Sequence, residues 1–227
     1  MVRRRSKGDI MALNKNETRD LYRKRAKRYD LSVQIYPLFG FNGKQYRQDT
    51  ISALALKPGD TVVELGCGTG LNFVYVQQAI GPKGWIIGID LTEAMLDVAR
   101  GRVARENWIN VELVQADLAE WQFPAGVSGL YSTFALTMVP EYDTIIERAA
   151  HALKPEGRLA VLDMKEPTGW PAWVVRFGAW LNKPFGVSLD LADRHPWESI
   201  RRYLTKTEYK EYYFGALYLC VGEKAGQ

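Results

Sequence analysis

The chain has 227 residues, which is enough for one domain with a sizeable core but not clearly enough for two. Its two cysteines and two histidines exclude a disulfide framework and leave no cluster with zinc-ligand spacing. No apolar run reaches the roughly 18 residues of a membrane-spanning helix, and the N-terminus lacks the apolar stretch of a secretory signal. A reducing, cytoplasmic location is the simplest prediction.

The net charge of +4 is unevenly distributed. Residues 1–28 contain eleven Lys or Arg and three acids, so this segment is about +8 and the rest of the chain about −4. A basic arm on a mildly acidic body indicates an anionic surface as partner, and the cytoplasmic face of a membrane is the predicted one. Nucleic acid is not predicted, because there is no zinc finger, RNP-type strand or basic zipper.

In chain order, two helices are predicted first, over 17–37 and 43–55. The pattern then alternates between strands at 61–66, 85–90, 111–117, 129–135 and 157–164 and helices from about 71, at 92–107 and at 141–154. The last two strands, 209–214 and 216–223, meet at Gly215 and must be antiparallel, because a parallel return needs a long crossover. The predicted fold class is α/β, with a doubly wound, seven-stranded, mostly parallel sheet and an antiparallel C-terminal hairpin.

The stretch VVELGCGTG, residues 62–70, is the most informative in the chain. A hydrophobic strand leads to Gly66, Gly68 and Gly70, which allow positive φ angles and close approach of a ligand to the backbone. An NAD site has the spacing G-x-G-x-x-G, whereas here the third glycine comes one residue early. The ligand is expected outside the carboxyl ends of the strands, near a helix N-terminus.

Two carboxylates end the next two predicted strands. Asp90 follows Gly70 by 20 residues, where a carboxylate can accept hydrogen bonds from both hydroxyls of a ribose. Asp117 ends the strand after that and is placed to meet an adenine edge. A nucleoside-containing ligand is therefore predicted.

At these residues the chain resembles the class I S-adenosylmethionine (SAM) dependent methyltransferases, over roughly residues 45–165. The glycine loop, the two strand-end acids and LKPEGRLAVLD at 153–163 follow the order and spacing of that family. The resemblance implies SAM as the cofactor. It implies a cofactor site made of Glu64, Gly66, Cys67, Gly68, Thr69, Gly70, Asp90, Leu91, Met95, Asp117, Leu118 and Thr133.

The resemblance also implies a role for several of these residues. The loop at 66–69 passes the methionine part of SAM, and Asp90 binds the ribose. Asp117 and Leu118 border the adenine, with Met95 packed near it. Thr133 lies where the family contacts the sulfonium end.

Several side chains have two interpretations that the sequence leaves open. Glu64 either contacts SAM or braces the loop from beneath. Tyr29 and Tyr36 either close over the cofactor or only pack the first helix; Tyr29 is a candidate catalytic residue and Tyr36 a candidate substrate-binding residue. His195 precedes a proline and is either a second catalytic candidate or a hydrogen-bonding element of a loop. Cys67 is expected to be a packing choice and not a nucleophile.

Three of the seven tryptophans fall in GWPAWVVRFGAWLNKPFG, residues 169–186. On a helical wheel Trp173, Phe177 and Trp180 share one face, which fits either a helix lying in a membrane interface or a buried lid. Both interpretations make these side chains substrate-binding and imply an amphiphilic or lipid acceptor. The predicted domain is therefore a single unit, 1–227, with a basic helical cap at 1–44 and a lid or substrate insertion at 166–205.

Within the class, KRYD at 27–30, LKPEGRLAVLD and the aromatic C-terminal strands resemble the ubiquinone/menaquinone C-methyltransferases and the bacterial phospholipid and betaine-lipid N-methyltransferases. Few candidate bases are present, which favours nitrogen as the acceptor atom. The predicted reaction is N-methylation of an amphiphilic amine such as the phosphatidylethanolamine head group. The alternatives are C-methylation of a quinone precursor, N-methylation of a soluble amine, or a membrane-binding regulatory protein that holds SAM only as a ligand. The acceptor atom and the oligomeric state stay open.

Overall fold

The computed structural model describes residues 15–35, 37, 40–171, 173, 175 and 193–226. Its helices are α1 Lys15–Ile35, α2 Gly43–Ala53, α3 Phe73–Ile80, α4 Glu93–Arg105, α5 Tyr142–Ala152 and α6 Pro196–Tyr203. Its strands are β1 Thr61–Leu65, β2 Trp85–Asp90, β3 Val111–Gln115, β4 Val127–Thr133, β5 Leu153–Met164, β6 Thr205–Tyr212 and β7 Leu217–Glu223.

The seven strands form one sheet in the order β3-β2-β1-β4-β5-β7-β6. The five strands from β3 to β5 are parallel, and β7 is antiparallel to both of its neighbours. All seven residues of β4 are buried, because this strand lies between β1 and β5 and helices cover both faces of the sheet. The predicted fold class is confirmed.

The core lies on both faces of the sheet. Successive side chains of β1 point to opposite faces, so this one strand contributes to both core layers. Val62 packs into the layer that contains α2 and α3, whereas Val63 and Leu65 pack into the layer that contains α5 and α6. Glu64 points to the same face as Val62, so a carboxylate lies in an otherwise apolar layer. That position decides its role in the site below.

The position of the site follows from the order of the strands. The chain runs outward from β1 to β3, then returns to place β4 on the other side of β1. In an open α/β sheet, ligands bind outside the carboxyl ends of the strands at such a reversal. The ends of β1 and β4 are therefore the expected centre of the site.

The C-terminal hairpin turns where the sequence predicts, but with different strand bounds. The first of its strands is Thr205–Tyr212, which ends before Phe214. Tyr213, Phe214 and Gly215 form a short turn with φ angles of 48°, 55° and 82°. Three successive left-handed residues reverse the chain sharply, and this ends the strand two residues earlier than its aromatic pattern indicates.

The predicted insertion at 166–205 is partly core. α6 begins with a proline, as helices often do, and Ile200 is fully buried against the layer that contains α5. Earlier in the same segment, Trp173 is 73% exposed. None of the helices in the described part of the chain is long and apolar enough to cross a membrane.

Candidate active site

The loop after β1 depends on three glycines for different reasons. Gly66, Gly68 and Gly70 have φ angles of 73°, 53° and 72°, which favour glycine. A Cβ on Gly66 would lie 2.5 Å from the Cβ of Ala135, and one on Gly70 would lie 2.6 Å from the ring of Phe73. A Cβ on Gly68 would meet no heavy atom within 4 Å, so the loop faces open space there.

Asp90 ties this loop to the end of β2. Its Oδ2 accepts a hydrogen bond from the backbone N–H of Gly68 at 2.9 Å, and its Oδ1 accepts one from the N–H of Thr92 at 2.8 Å. Burial raises the pKa of the Asp90 carboxyl, although both backbone hydrogen bonds lower it. A carboxylate has about four acceptor positions, so Asp90 keeps capacity for a ligand.

Glu64 braces the loop from below. It is fully buried, and its two carboxylate oxygens accept hydrogen bonds from Tyr131 Oη, at 2.7 Å, and from Asn72 Nδ2. Burial raises the pKa of Glu64 to about 7. Because Glu64 is fully buried and is not part of the cavity lining, the geometry favours the bracing interpretation over direct contact with a ligand.

A buried arginine extends this network to α2. Arg47 Nη1 donates to Asn72 Oδ1 at 2.9 Å and to Thr133 Oγ1 at 3.1 Å. Asn72 Nδ2 also donates to Thr133 Oγ1, at 2.9 Å, and the guanidinium lies 5.4 Å from the ring centre of Phe134. The network therefore joins α2, the start of α3 and the ends of β1 and β4.

Helix α1 covers the site from the other side. Near its C-terminal end, Asp30 accepts hydrogen bonds from Thr69 Oγ1 at 2.6 Å and from Arg102 Nη2 at 2.5 Å. Nearer its N-terminal end, Tyr22 Oη contacts Met138 Sδ at 3.5 Å. The helix is thus attached at opposite edges of the site.

Between these attachments lies Tyr29, whose ring centre is 6.1 Å from that of Tyr22. Burial is the main cause that raises the pKa of the Tyr29 phenol, while the nearby Arg47 lowers it. We call Tyr22, Tyr29 and Asp30 the roof of the site, and residues 66–69 with Asp90 its floor.

Floor and roof enclose a cavity of about 1040 Å³, counted together with its part that opens to solvent. Eleven of the residues predicted for the site line it. They are Tyr29, Gly66, Cys67, Gly68, Thr69, Asp90, Leu91, Met95, Asp117, Leu118 and Thr133. Burial raises the pKa of the Cys67 thiol well above its usual range, which fits the packing interpretation of this residue.

Other predicted residues lie elsewhere. Glu64 and Gly70 are not part of the described cavity lining, and Trp173 is exposed at the surface. The substrate-binding candidates Tyr36, Phe177 and Trp180 lie outside the described residues.

His195 directly precedes α6 and is not part of the described cavity lining. Its ring packs on Trp197 with 4.6 Å between ring centres, and its Nδ1 lies 3.4 Å from Glu198 Oε1. These contacts fit the hydrogen-bonding interpretation, and the catalytic role stays a prediction.

Several lining residues have no signal in the sequence pattern. Arg47 lies on α2, far from any motif, and residues 134–140 form the wall beyond β4. Asn72 could have been found, since it directly precedes the helix that follows the glycine loop. Leu71, Thr92, Ala116 and Phe134 are chain neighbours of predicted residues, whereas Tyr22 and Arg47 reach the site only through the fold. The unpredicted lining residues are Tyr22, Arg47, Leu71, Asn72, Thr92, Ala116, Phe134, Ala135, Met138, Val139 and Pro140.

The comparison that decides the family covers most of the chain: residues 10–213 match the model of the ubiE/COQ5 methyltransferase family. The chain belongs to this family. The predicted enzyme class and its methyl donor, SAM, are thereby confirmed.

Individual relatives are more distant. The chain is 33% identical over 138 residues to a demethylmenaquinone methyltransferase of Listeria monocytogenes, covering 60% of this chain and 57% of that relative. It is 28% identical over 169 residues to the Lactobacillus johnsonii enzyme of the same name, covering 71% and 68%. Among solved structures, a geranyl diphosphate C-methyltransferase of Streptomyces coelicolor, in complex with S-adenosylhomocysteine, has a TM-score of 0.65 at 15% identity, covering 80% and 79%. The last similarity shows the fold.

The site of this ubiE/COQ5 family member fits SAM. The open space at Gly68 allows a ligand to approach the backbone, and Asp90 and Asp117 provide acceptors at the ends of β2 and β3 for hydroxyl and amine donors. Leu118 and Met95 supply apolar surface beside them. Among the described residues, no group of three or more His, Cys, Asp or Glu is placed to hold a metal ion.

Proposed function

We propose that this family member transfers the methyl group of SAM to a ring carbon of a prenylated quinol. Support comes from the family and from relatives named demethylmenaquinone methyltransferase. The observation that carries the proposal is the wall of the cavity beyond β4, at 134–140, which is lined by Phe134, Ala135, Met138, Val139 and Pro140.

The division of the cavity supports this choice of acceptor. If the nucleoside part of SAM lies at Asp90 and Asp117, the space left for an acceptor lies toward the end of β4 and the roof. The wall there is apolar and contains no acid among the described residues. An aromatic ring with an apolar tail fits such a wall better than the charged head group of phosphatidylethanolamine does.

When bound, SAM supplies an electrophilic methyl group attached to a sulfonium. The rest of SAM is a good leaving group, because loss of the methyl group turns the sulfonium into a neutral thioether. The protein then has to align the acceptor carbon with that methyl group and to exclude water. The acceptor ring loses one proton for each methyl group that it gains, and this proton passes to solvent at the open part of the cavity. Tyr29 lines the cavity, and its phenol is protonated at neutral pH, so it can donate a hydrogen bond to a quinol oxygen.

The apolar wall is held in shape by a buried carboxylate. Asp163 Oδ2 accepts a hydrogen bond from the N–H of Thr137 at 2.9 Å, and Oδ1 accepts one from the N–H of Met164 at 2.8 Å. Burial raises the pKa of Asp163 to about 6. In this proposal Asp163 positions the turn at 136–138 and is not the base that contacts the acceptor.

A prenylated acceptor resides in a membrane, and the basic segment 1–28 supplies an attraction to anionic lipid at about 1 kcal/mol per Lys or Arg near the surface. The exposed Trp173 lies in the segment for which membrane contact is predicted.

The test is an acceptor assay with labelled SAM and the purified chain. Chemically reduced demethylmenaquinone and phosphatidylethanolamine are presented separately, each in anionic vesicles and in neutral detergent micelles. We expect label and a mass gain of one methyl group in the quinone fraction only. Label in phosphatidylethanolamine, or none in the quinone, would overturn the proposal. Turnover on anionic vesicles should fall with added salt while turnover in micelles does not; equal salt dependence would remove the membrane role.

A further inference from the structure

Arg47 is a buried cation that faces the cavity. Its side chain is 9% exposed, and its described hydrogen bonds go to neutral groups, the Asn72 amide oxygen and the Thr133 hydroxyl. Both use the hydrogens of Nη1. A guanidinium has five N–H donors, so about three are left over. A buried charge is expensive unless an opposite charge meets it, and so Arg47 indicates an anion.

The buried carboxylate Glu64 attracts Arg47 electrostatically, but none of the described hydrogen bonds joins the two directly. Glu64 is separated from Arg47 by the Asn72 side chain, which donates to Glu64 and accepts from Arg47. The second Glu64 oxygen is taken by Tyr131. Glu64 is thus satisfied by neutral donors, while Arg47 keeps a surface on the cavity.

The position of Arg47 identifies the anion. Its two partners flank the glycine loop, Asn72 at the start of α3 and Thr133 at the end of β4, whereas Asp90 and Asp117 lie at the ends of β2 and β3. A ligand that places its ribose and adenine at the two acids extends its amino-acid end toward Arg47.

We propose that Arg47 binds the α-carboxylate of the amino-acid part of SAM, through the guanidinium donors that Asn72 and Thr133 do not use. Asn72 and Thr133 hold the guanidinium in orientation, and Phe134 supports its face at 5.4 Å. This inference rests on the use of SAM in the proposed function, but it does not depend on which acceptor is methylated.

The experiment is a calorimetric comparison of two ligands without any acceptor. S-adenosylhomocysteine carries the α-carboxylate, whereas 5′-methylthioadenosine lacks the amino-acid part. Arg47→Met should weaken binding of the first by about 10- to 100-fold and leave binding of the second nearly unchanged. Arg47→Lys keeps the charge but loses the fork of donors, so an intermediate loss is expected.

Arg158 offers a matched control because it also contacts α2. Its Nη1 donates to the carbonyl of Ala53 at 3.1 Å, its Nη2 pairs with Glu223 at 2.9 Å, and it is not part of the described cavity lining. Arg158→Met should lower the melting temperature without changing the affinity ratio of the two ligands.

Equal weakening of both ligands by Arg47→Met, or weakening of neither, would overturn the assignment. If the variant does not fold, the assignment is tested instead by calorimetry of the wild-type protein with decarboxylated S-adenosylhomocysteine. That analogue should bind at least about tenfold more weakly than the parent, and equal affinity would overturn the assignment. Failure of the wild type to bind S-adenosylhomocysteine at all would instead contradict the proposed function.

Discussion

The floor and the roof of the cavity are held in place by contacts of different kinds. The floor, residues 66–69 and Asp90, lies at the carboxyl ends of β1 and β2, whose apolar side chains other than Trp85 are buried. A hydrogen bond from the backbone N–H of Gly68 to Asp90 holds it together. The roof, Tyr22, Tyr29 and Asp30 on α1, is attached by polar side-chain contacts to Thr69, Arg102 and Met138.

The difference indicates how each half contributes to binding. Moving the floor requires disruption of the sheet, whereas moving the roof breaks a few contacts that are partly exposed to water. We therefore expect changes in the floor to alter folding and equilibrium affinity, and changes in the roof to alter mainly the rate at which ligands leave.

The largest effect is expected at Gly66 in the floor. Gly66→Ala combines a left-handed φ of 73° with a Cβ contact of 2.5 Å to Ala135, and should lower the free energy of unfolding by about 2 to 5 kcal/mol. Gly126→Ala is the control, since its φ is 79° but a Cβ there meets nothing within 4 Å. Urea denaturation of both variants measures the difference. Equal losses would show that the clash with Ala135 is relieved by a small movement and that the floor is softer than described.

The next largest effect is expected at Asp90, which is also in the floor. Asp90→Ala should weaken SAM binding by about 2 to 4 kcal/mol, because it removes a charged acceptor from a buried site and also frees the N–H of Gly68. Calorimetry with SAM gives the affinity, and thermal unfolding shows whether the loop has moved. Unchanged affinity would mean that Asp90 serves the loop and not the ribose.

Beneath the floor, Glu64 should make stability depend on pH. Its pKa is raised from 4.5 to about 7, so the folded state holds a proton that the unfolded state releases. The contribution of Glu64 is therefore fully present below pH 4.5 and is lost as pH rises to 7, at up to about 1.4 kcal/mol per pH unit.

Glu64→Gln should remove this part of the slope and keep hydrogen bonds to Asn72 and Tyr131. Urea titrations of wild type and variant at several pH values between 4.5 and 7 give the two slopes. If they coincide, Glu64 is already ionised in the folded protein, and the bracing depends on a charged carboxylate.

The smallest effect is expected in the roof. Asp30→Asn removes the ion pair with Arg102, whose two side chains are 29% and 21% exposed, and should lower the free energy of unfolding by at most about 1 kcal/mol. The dissociation rate of SAM should rise by about threefold to fivefold, measured by stopped-flow displacement.

Asp97→Asn is the matched control for that change, because Asp97 pairs with Arg100 on the outside of α4, where both side chains are about half exposed. The control should leave the dissociation rate unaltered. If the dissociation rate of SAM from Asp30→Asn equals that of the wild type, α1 does not close over the ligand. The floor and the roof would then not differ in their effect on ligand release.

The sequence by itself determined most of the sheet and of the floor. The strand around Val62 and Val63, the glycines at alternate positions and the acids at the next strand ends are local patterns, because each depends on neighbouring backbone or on strand period. The reversal of strand order then brings these residues together at the carboxyl ends of the parallel strands.

Only the tertiary structure decided which side chains lie across the cavity from the floor. Arg47 and Tyr22 line the cavity from helices outside the glycine-loop motif, and Asp30 reaches Thr69 of the floor. These contacts join residues far apart in the sequence, such as Arg47 and Thr133. The role of Glu64 likewise depends on the tertiary structure, which buries its side chain away from the cavity beside Asn72 and Tyr131. Residue spacing records which side chains share a strand or a helix face, but not which distant side chains pack against them, because packing is settled by the fold as a whole.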